Sequence, residues 1–170
     1  MRSTSAPEWT DFFTHQGMEV IETPLAWVIH NQVDFWKIRK PLTLEFLDWS
    51  TPSKRKEVCE QEIENNLLLA PQVYRGAVPL RRSPQGDFHF GPEGEIVDWA
   101  THMVRQPRHH RADVRMARGE LTHDHLNLIA AQLNAFHRRP LDWSEKELST
   151  HLQHLQSELQ GLIELNRGYI

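Results

Sequence analysis

The 170 residues contain one cysteine, Cys59. That excludes an intramolecular disulfide and any cluster of thiolate metal ligands, and it suits a reducing cytoplasm. Long apolar runs are missing as well, so no stretch reads as a membrane span. The opening Met1-Arg2-Ser3-Thr4-Ser5-Ala6-Pro7 lacks the apolar core of a signal peptide. There is no excess of positive charge either. A net charge of -4 gives no reason to expect a nucleic-acid partner. Internal repeats are absent. The remaining frame is that of a polar, soluble, cytoplasmic chain, with 39% apolar and 25% charged residues and length for one ordinary domain.

Within that frame the patterning predicts an α+β chain. Residues 1–8 read as disordered, and Glu8 to His15 as a short helix or turn whose Trp9, Phe12 and Phe13 dock on a core. Three strands follow, at Met18 to Thr23, Leu25 to His30 and Val33 to Arg39, forming an antiparallel meander. Such a meander needs a helix or a second sheet over one face. Leu42 to Trp49 reads as an irregular connection. Ser50-Thr51-Pro52 is a helix start, with a capping hydroxyl and a first-turn proline. The helix runs to about Ala70, with Val58, Glu62, Ile63, Leu67 and Leu69 as inward positions, and Pro71 stops it. Val73 to Arg82 is an edge or bent strand because Pro79 lies inside it. Ser83 to Gly94 suggests a hairpin, and Glu95 to Val104 the last strand. Beyond Arg108 the pattern is helical. Arg111 to Arg118 ends at Gly119, Thr122 caps a helix to His137, and leucines 148, 152, 155, 159 and 162 mark a final helix with a short heptad seam.

Val33 to Tyr74 carries the chemistry. Lys37 sits on a strand, and the following helix presents Glu62. A strand lysine offers a cationic donor to nucleotide phosphates, and a carboxylate from the facing helix fixes its position.

The wording of the chain supports a resemblance. Ile21-Glu22-Thr23, Trp27-Val28, Trp36-Lys37-Ile38-Arg39-Lys40-Pro41 and Phe46-Leu47-Asp48-Trp49-Ser50-Thr51 follow one pattern in register. Cys59-Glu60-Gln61-Glu62, Leu69-Ala70-Pro71, Val78-Pro79 and Met103-Val104-Arg105-Gln106-Pro107 continue it. Over residues 18–140 the chain resembles the aminoglycoside-phosphotransferase-like proteins of bacteria, the branch often fused to a P-loop ATPase domain. The resemblance implies a protein-kinase-like small lobe of about five antiparallel strands and one long helix over residues 18–107. An N-terminal extension, 1–17, precedes it. Residues 108–170 would be two or three helices that begin a truncated large lobe. It further implies ATP and magnesium as cofactors. Lys37 and Glu62 would be the phosphate-binding pair, Thr23 would lie near the nucleotide, and Val104 and Arg105 would form the hinge beside the adenine.

The same comparison identifies departures. Phosphoryl transfer needs a carboxylate to orient the acceptor, and an Asp and an Asn for the metal ions. The family's H-G-D-x-x-x-x-N and D-x-D stretches are missing from this sequence. The nearest lookalike, His123-Asp124-His125-Leu126-Asn127, has Ile129 where the Asn belongs, and Asp124 suits a helix N-terminus. Thr23 is followed by Pro24, and Phe35, two residues before Lys37, shares its face toward the nucleotide. The expectation is a relative of the phosphotransferases without catalytic activity, retaining at most a nucleotide site. The alternative is a non-catalytic interaction or oligomerisation module, with the leucine helix as the contact to a partner or a second copy.

Each remaining signal has a plainer reading. Lys37 and Glu62 form a structural ion pair equally well. His151 and His154, and the group His123, His125 and His137, lack the acidic or cysteine ligands of a zinc set. The arginines 105, 108, 111, 115 and 118 read as a solvated face. Cys59 reads as a buried thiol.

Overall fold

The structure is a computed structural model describing residues 6–44, 47–139, 148–150, 152–153, 155–157 and 159–160. The chain is α+β. It divides into two compact units, residues 1–133 and 134–170. In the first unit, α1 (Glu8–His15) precedes the strands β1 (Glu19–Glu22), β2 (Ala26–His30) and β3 (Asp34–Arg39). A two-residue ladder of β4 (Thr43–Leu44) and β5 (Leu47–Asp48) then leads into α2 (Pro52–Leu67). Strands β6 (Tyr74–Arg82), β7 (Phe88–His89) and β8 (Glu95–Val104) follow. A single 3₁₀ turn at Arg108–His110, α3 (Ala112–Ala117) and α4 (His123–His137) come next. Among the described residues, no helix is long and apolar enough to cross a membrane.

Six strands form one antiparallel sheet in the order β1-β2-β3-β8-β6-β7. The sequence expectation of about five strands is exceeded by β7, which turns back at residues 83–87 to pair with the end of β6 as a short hairpin. Pro79 is accommodated because β7 reaches β6 only at Arg81 and Arg82, leaving the strand before them on an open edge.

The core follows from strand alternation. Trp27 lies opposite Ile38, Ile38 opposite Ala100 and Ala100 opposite Val78, which places one apolar row across four strands. Residues two apart repeat it, so Ile29 and Leu80 join the same core, and Ile29, Ile38, Leu80 and Ala100 are fully enclosed. Trp9 and Phe13 of α1 and Phe88 of β7 close it. Trp9 meets the Trp27 ring edge-on at 5.3 Å, while Phe13, Phe90 and Trp36 stack in sequence. The aromatics read as docking at the N-terminus therefore form one wall of the main core, each contributing about 1.5–3 kcal/mol of burial.

The helix α2 lies against β8 and β6. Thr51 caps it by accepting the Lys54 N–H, and Pro52 takes the first turn. Its buried positions are Arg55, Cys59 and Ile63, spaced by four as one helical face requires. The inward set differs from the sequence expectation at its C-terminal end. Leu67 is exposed, and the helix ends there, before Ala70, with Leu69 and Ala70 both donating to the Asn66 carbonyl. Leu42 to Trp49, expected to be irregular, carries the β4–β5 ladder.

Gly119 ends α3 as the sequence suggested. Its φ of +68° suits glycine, its N–H donates to the Met116 carbonyl, and Glu120 donates to Arg115. In α4, Leu126, Ile129 and Leu133 remain exposed. The leucine segment is helical wherever it is described, and Leu148, Leu152, Leu155 and Leu159 are each 40% exposed or more. Leu162, His151 and His154 lie outside the described residues.

Candidate functional site

Lys37 and Glu62 meet. Lys37 is central in β3, directly opposite Val28 of β2 and Thr101 of β8. Its Nζ donates to Glu62 Oε1 from α2, 25 residues later. The second carboxylate oxygen is also occupied: Arg39 Nη2 donates to Oε2 at 2.8 Å and Thr101 Oγ1 at 3.3 Å. Strand alternation explains the grouping, since Lys37 and Arg39 are two apart and share a face. One carboxylate thus serves two cations and a hydroxyl. Its side chain is 12% exposed, and those of Lys37 and Arg39 are 21% and 17% exposed. The partial burial keeps the pairs from being screened as surface pairs are.

Arg39 joins the site although the resemblance assigns it no role. The available signal was its i+2 spacing from Lys37. Its guanidinium lies 4.9 Å from the centre of the Trp49 ring, a cation–π contact, and its Nε is buried without a hydrogen-bond partner.

Two neighbours register the charge of this cluster. Burial pushes the Cys59 thiol up, against a hydrogen bond to Thr101 that pulls it down, and the Glu62 carboxylate adds to the rise. The Tyr74 phenol is also raised, by burial and then by Glu62. Cys59 is fully enclosed and free, so it is an inert thiol rather than a nucleophile.

A second ion pair sets the position of α2. Arg55 Nε and Nη2 donate to the two oxygens of Asp98 at 2.8 and 2.9 Å, with side chains 6% and 10% exposed. Arg55 Nη1 also donates to the Trp49 carbonyl at 2.8 Å. Burial pushes the Asp98 carboxyl up, and the bonds and charge of Arg55 oppose that. Arg55 precedes Glu62 by two helical turns, so this clamp fixes the azimuth at which Glu62 faces the sheet.

The other candidate positions lie apart from the pair in role. Thr23 closes the turn between β1 and β2, its Oγ1 donating to the Ala26 carbonyl and accepting the Ala26 N–H. Val104 ends β8 with its N–H donated to the Val73 carbonyl at 2.8 Å. The Arg105 N–H donates to the Val33 carbonyl at 2.7 Å, and its side chain reaches the Asn31 carbonyl. Both backbone donors at the end of β8 are therefore spent within the fold. Phe35, on the face of Lys37, lies opposite His30 and meets its ring edge-on at 4.9 Å.

The arginine run disperses: Arg111 forms a two-bond pair with Asp113, and Arg115 reaches the His109 carbonyl and the His125 ring. Among the described residues, no three His, Cys, Asp or Glu side chains gather as a metal site. No protein-family model, curated protein or solved structure matches the chain.

Proposed function

We propose that residues 18–107 are a kinase-like small lobe, related to the aminoglycoside phosphotransferases, that holds the phosphates of a nucleotide without transferring them by itself. The observation that carries this reading is the contact between Lys37 on the third strand and Glu62 on the helix that follows it. In kinases a third-strand lysine and a helix glutamate form the pair that positions the phosphates. The lysine and its partner fit the phosphate end of ATP. Glu62 offers magnesium no open ligand, because both its oxygens are engaged by Lys37, Arg39 and Thr101, and among the described residues no group of three His, Cys, Asp or Glu gathers as a metal site. The sequence also has no H-G-D-x-x-x-x-N or D-x-D stretch to supply an acceptor-orienting or metal-holding carboxylate.

Calorimetric titration with Mg-ATP tests the reading. Saturable binding by the wild type that is lost in Lys37→Ala supports it. Silence in both proteins leaves Lys37 and Glu62 as a structural clasp and ends the nucleotide reading.

A second reading, an interaction module, is favoured by one observation. Leu148, Leu152, Leu155 and Leu159 follow a 4-3-4 spacing and are all exposed. A seam of that spacing suits a partner helix or a second copy.

A further inference from the structure

Resting on the kinase-like reading, the geometry points to a site that reads a polyphosphate and ignores the base. We propose that the ligand class is an inorganic di- or triphosphate, or the phosphate tail of any nucleotide, and that Arg39 is its second cationic contact.

Three observations combine. The first is charge: Lys37 and Arg39 converge on one carboxylate, so the cluster of Lys37, Arg39 and Glu62 carries one excess positive charge. The second is donor capacity. The Arg39 guanidinium has five N–H donors; Nη2 gives one to Glu62, Nε is enclosed away from solvent, and the donors left for a ligand are those of Nη1 and the second of Nη2. A planar fork with unused donors recognises phosphate oxygens, while Lys37 acts as a point charge. Because both tips end on the two oxygens of one carboxylate, they stand close enough together to serve neighbouring oxygens of one polyphosphate chain.

The third observation concerns the base. Under the kinase-like reading an adenine would lie against Val104 and Arg105, and hydrogen-bond to free backbone groups there. Both N–H groups are donated inside the fold, to Val73 and to Val33. The approach on the face of Lys37 carries the Phe35 phenyl packed on His30. Recognition of a base edge needs unspent donors and an open slot, and leaving buried donors unpaired in exchange is costly. The phosphate contacts need not break the existing bonds, because an ammonium and a guanidinium each keep N–H groups beyond the one donated to Glu62.

Isothermal titration calorimetry of the full chain with sodium pyrophosphate, tripolyphosphate, ATP, GTP and adenosine, in buffer with magnesium chloride, tests this. Tripolyphosphate, ATP and GTP are expected to bind within about threefold of one another, and adenosine to give no heat. Arg39→Ala and Lys37→Ala are each expected to weaken pyrophosphate binding about tenfold or more, the size of one charge-assisted contact. Arg39→Lys, which keeps the charge and loses the fork, is expected to fall between the wild type and Arg39→Ala. It carries the test if Arg39→Ala melts at the working temperature. Binding of ATP with GTP and tripolyphosphate inert shows that the base is read. That result overturns this inference and leaves the Lys37 nucleotide site standing. Tripolyphosphate binding unchanged in both Arg39 variants overturns the role of Arg39. No binding of any phosphate by the folded wild type removes this inference and the nucleotide reading together.

Discussion

Replacing Arg55 by methionine isolates what holds α2 to the sheet. The side chain is 6% exposed and makes two bonds to Asp98 and one to the Trp49 carbonyl. Methionine fills similar volume without charge, so the loss is electrostatic rather than a cavity. Removing one partner of a buried pair costs about 3–5 kcal/mol, because the other charge is left uncompensated. Against a total stability of about 5–15 kcal/mol that is a large share. At about 2–4 °C per kcal/mol for a chain of this size, the melting temperature falls by roughly 6–20 °C. The dependence on pH separates this cause from simple packing loss. Arg55 opposes the rise that burial imposes on the Asp98 carboxyl, so without Arg55 the carboxyl stands further above its unfolded value. Between the unfolded and folded pKa values the folded variant binds the extra proton, and its stability falls as pH rises through that window. Urea unfolding followed by tryptophan fluorescence should therefore show the largest deficit near neutral pH and a smaller one in mild acid. The double variant Arg55→Met with Asp98→Leu should regain most of the loss, since no charge is left buried. A variant within about 0.5 kcal/mol of the wild type at neutral pH, or a deficit that grows as pH falls, would falsify this account.

Two further outcomes follow from the structure. Asp48 accepts from the Ser50 backbone and hydroxyl and pairs with Lys54 at the start of α2. Those contacts, the Lys54 bond first, hold its carboxyl well below the usual range. A lowered folded-state pKa gives stability that is present above the unfolded value near 3.9 and lost as pH falls below it. Asp48→Asn should therefore flatten the acid limb of the urea-midpoint profile while changing little at neutral pH in high salt. Replacing Leu155 and Leu159 by serine tests the interaction reading. Sedimentation velocity should show a concentration-dependent oligomer in the wild type that weakens in the double variant, and a monomer in both would end that reading.

The sheet was legible because its strands carry strong local signals. Trp27, Ile29 and Ile38 sit at alternating positions in runs bounded by Pro24, Asn31 and Pro41, so period and punctuation agree. Lys37 and Glu62 were legible as candidates because a strand lysine and a helix glutamate have a known use together. Three features were not. On the buried face of α2, Cys59 and Ile63 read as inward, but Arg55 is a poor marker of burial until its partner Asp98, 43 residues later, is brought beside it. Arg39 lies within the pattern from Trp36 to Pro41 without an assigned role, and only the fold shows that it shares Glu62 with Lys37. The β7 pairing depends on a two-residue run too short for any periodicity.

The sharing of Glu62 also bears on how the site responds to a ligand. In a simple lysine–glutamate pair, a phosphate that draws the lysine away leaves the carboxylate partly buried and unpaired. Here Arg39 and Thr101 hold the second oxygen, and the Asp98 clamp holds the helix. Lys37 can then lengthen its contact to Glu62 without exposing an orphan charge, because a cation remains in place. In the proposed complex Arg39 would therefore lower the cost of engaging an anion as well as contact it. The same geometry explains why the fold tolerates two cations two residues apart on one strand face, where like charges would otherwise repel. The charge balance of the cluster and the docking of the helix converge on one carboxylate at 12% exposure. Glu62→Gln should consequently disturb the lobe more than Lys37→Ala does, since it leaves Lys37 and Arg39 facing each other with no anion between them.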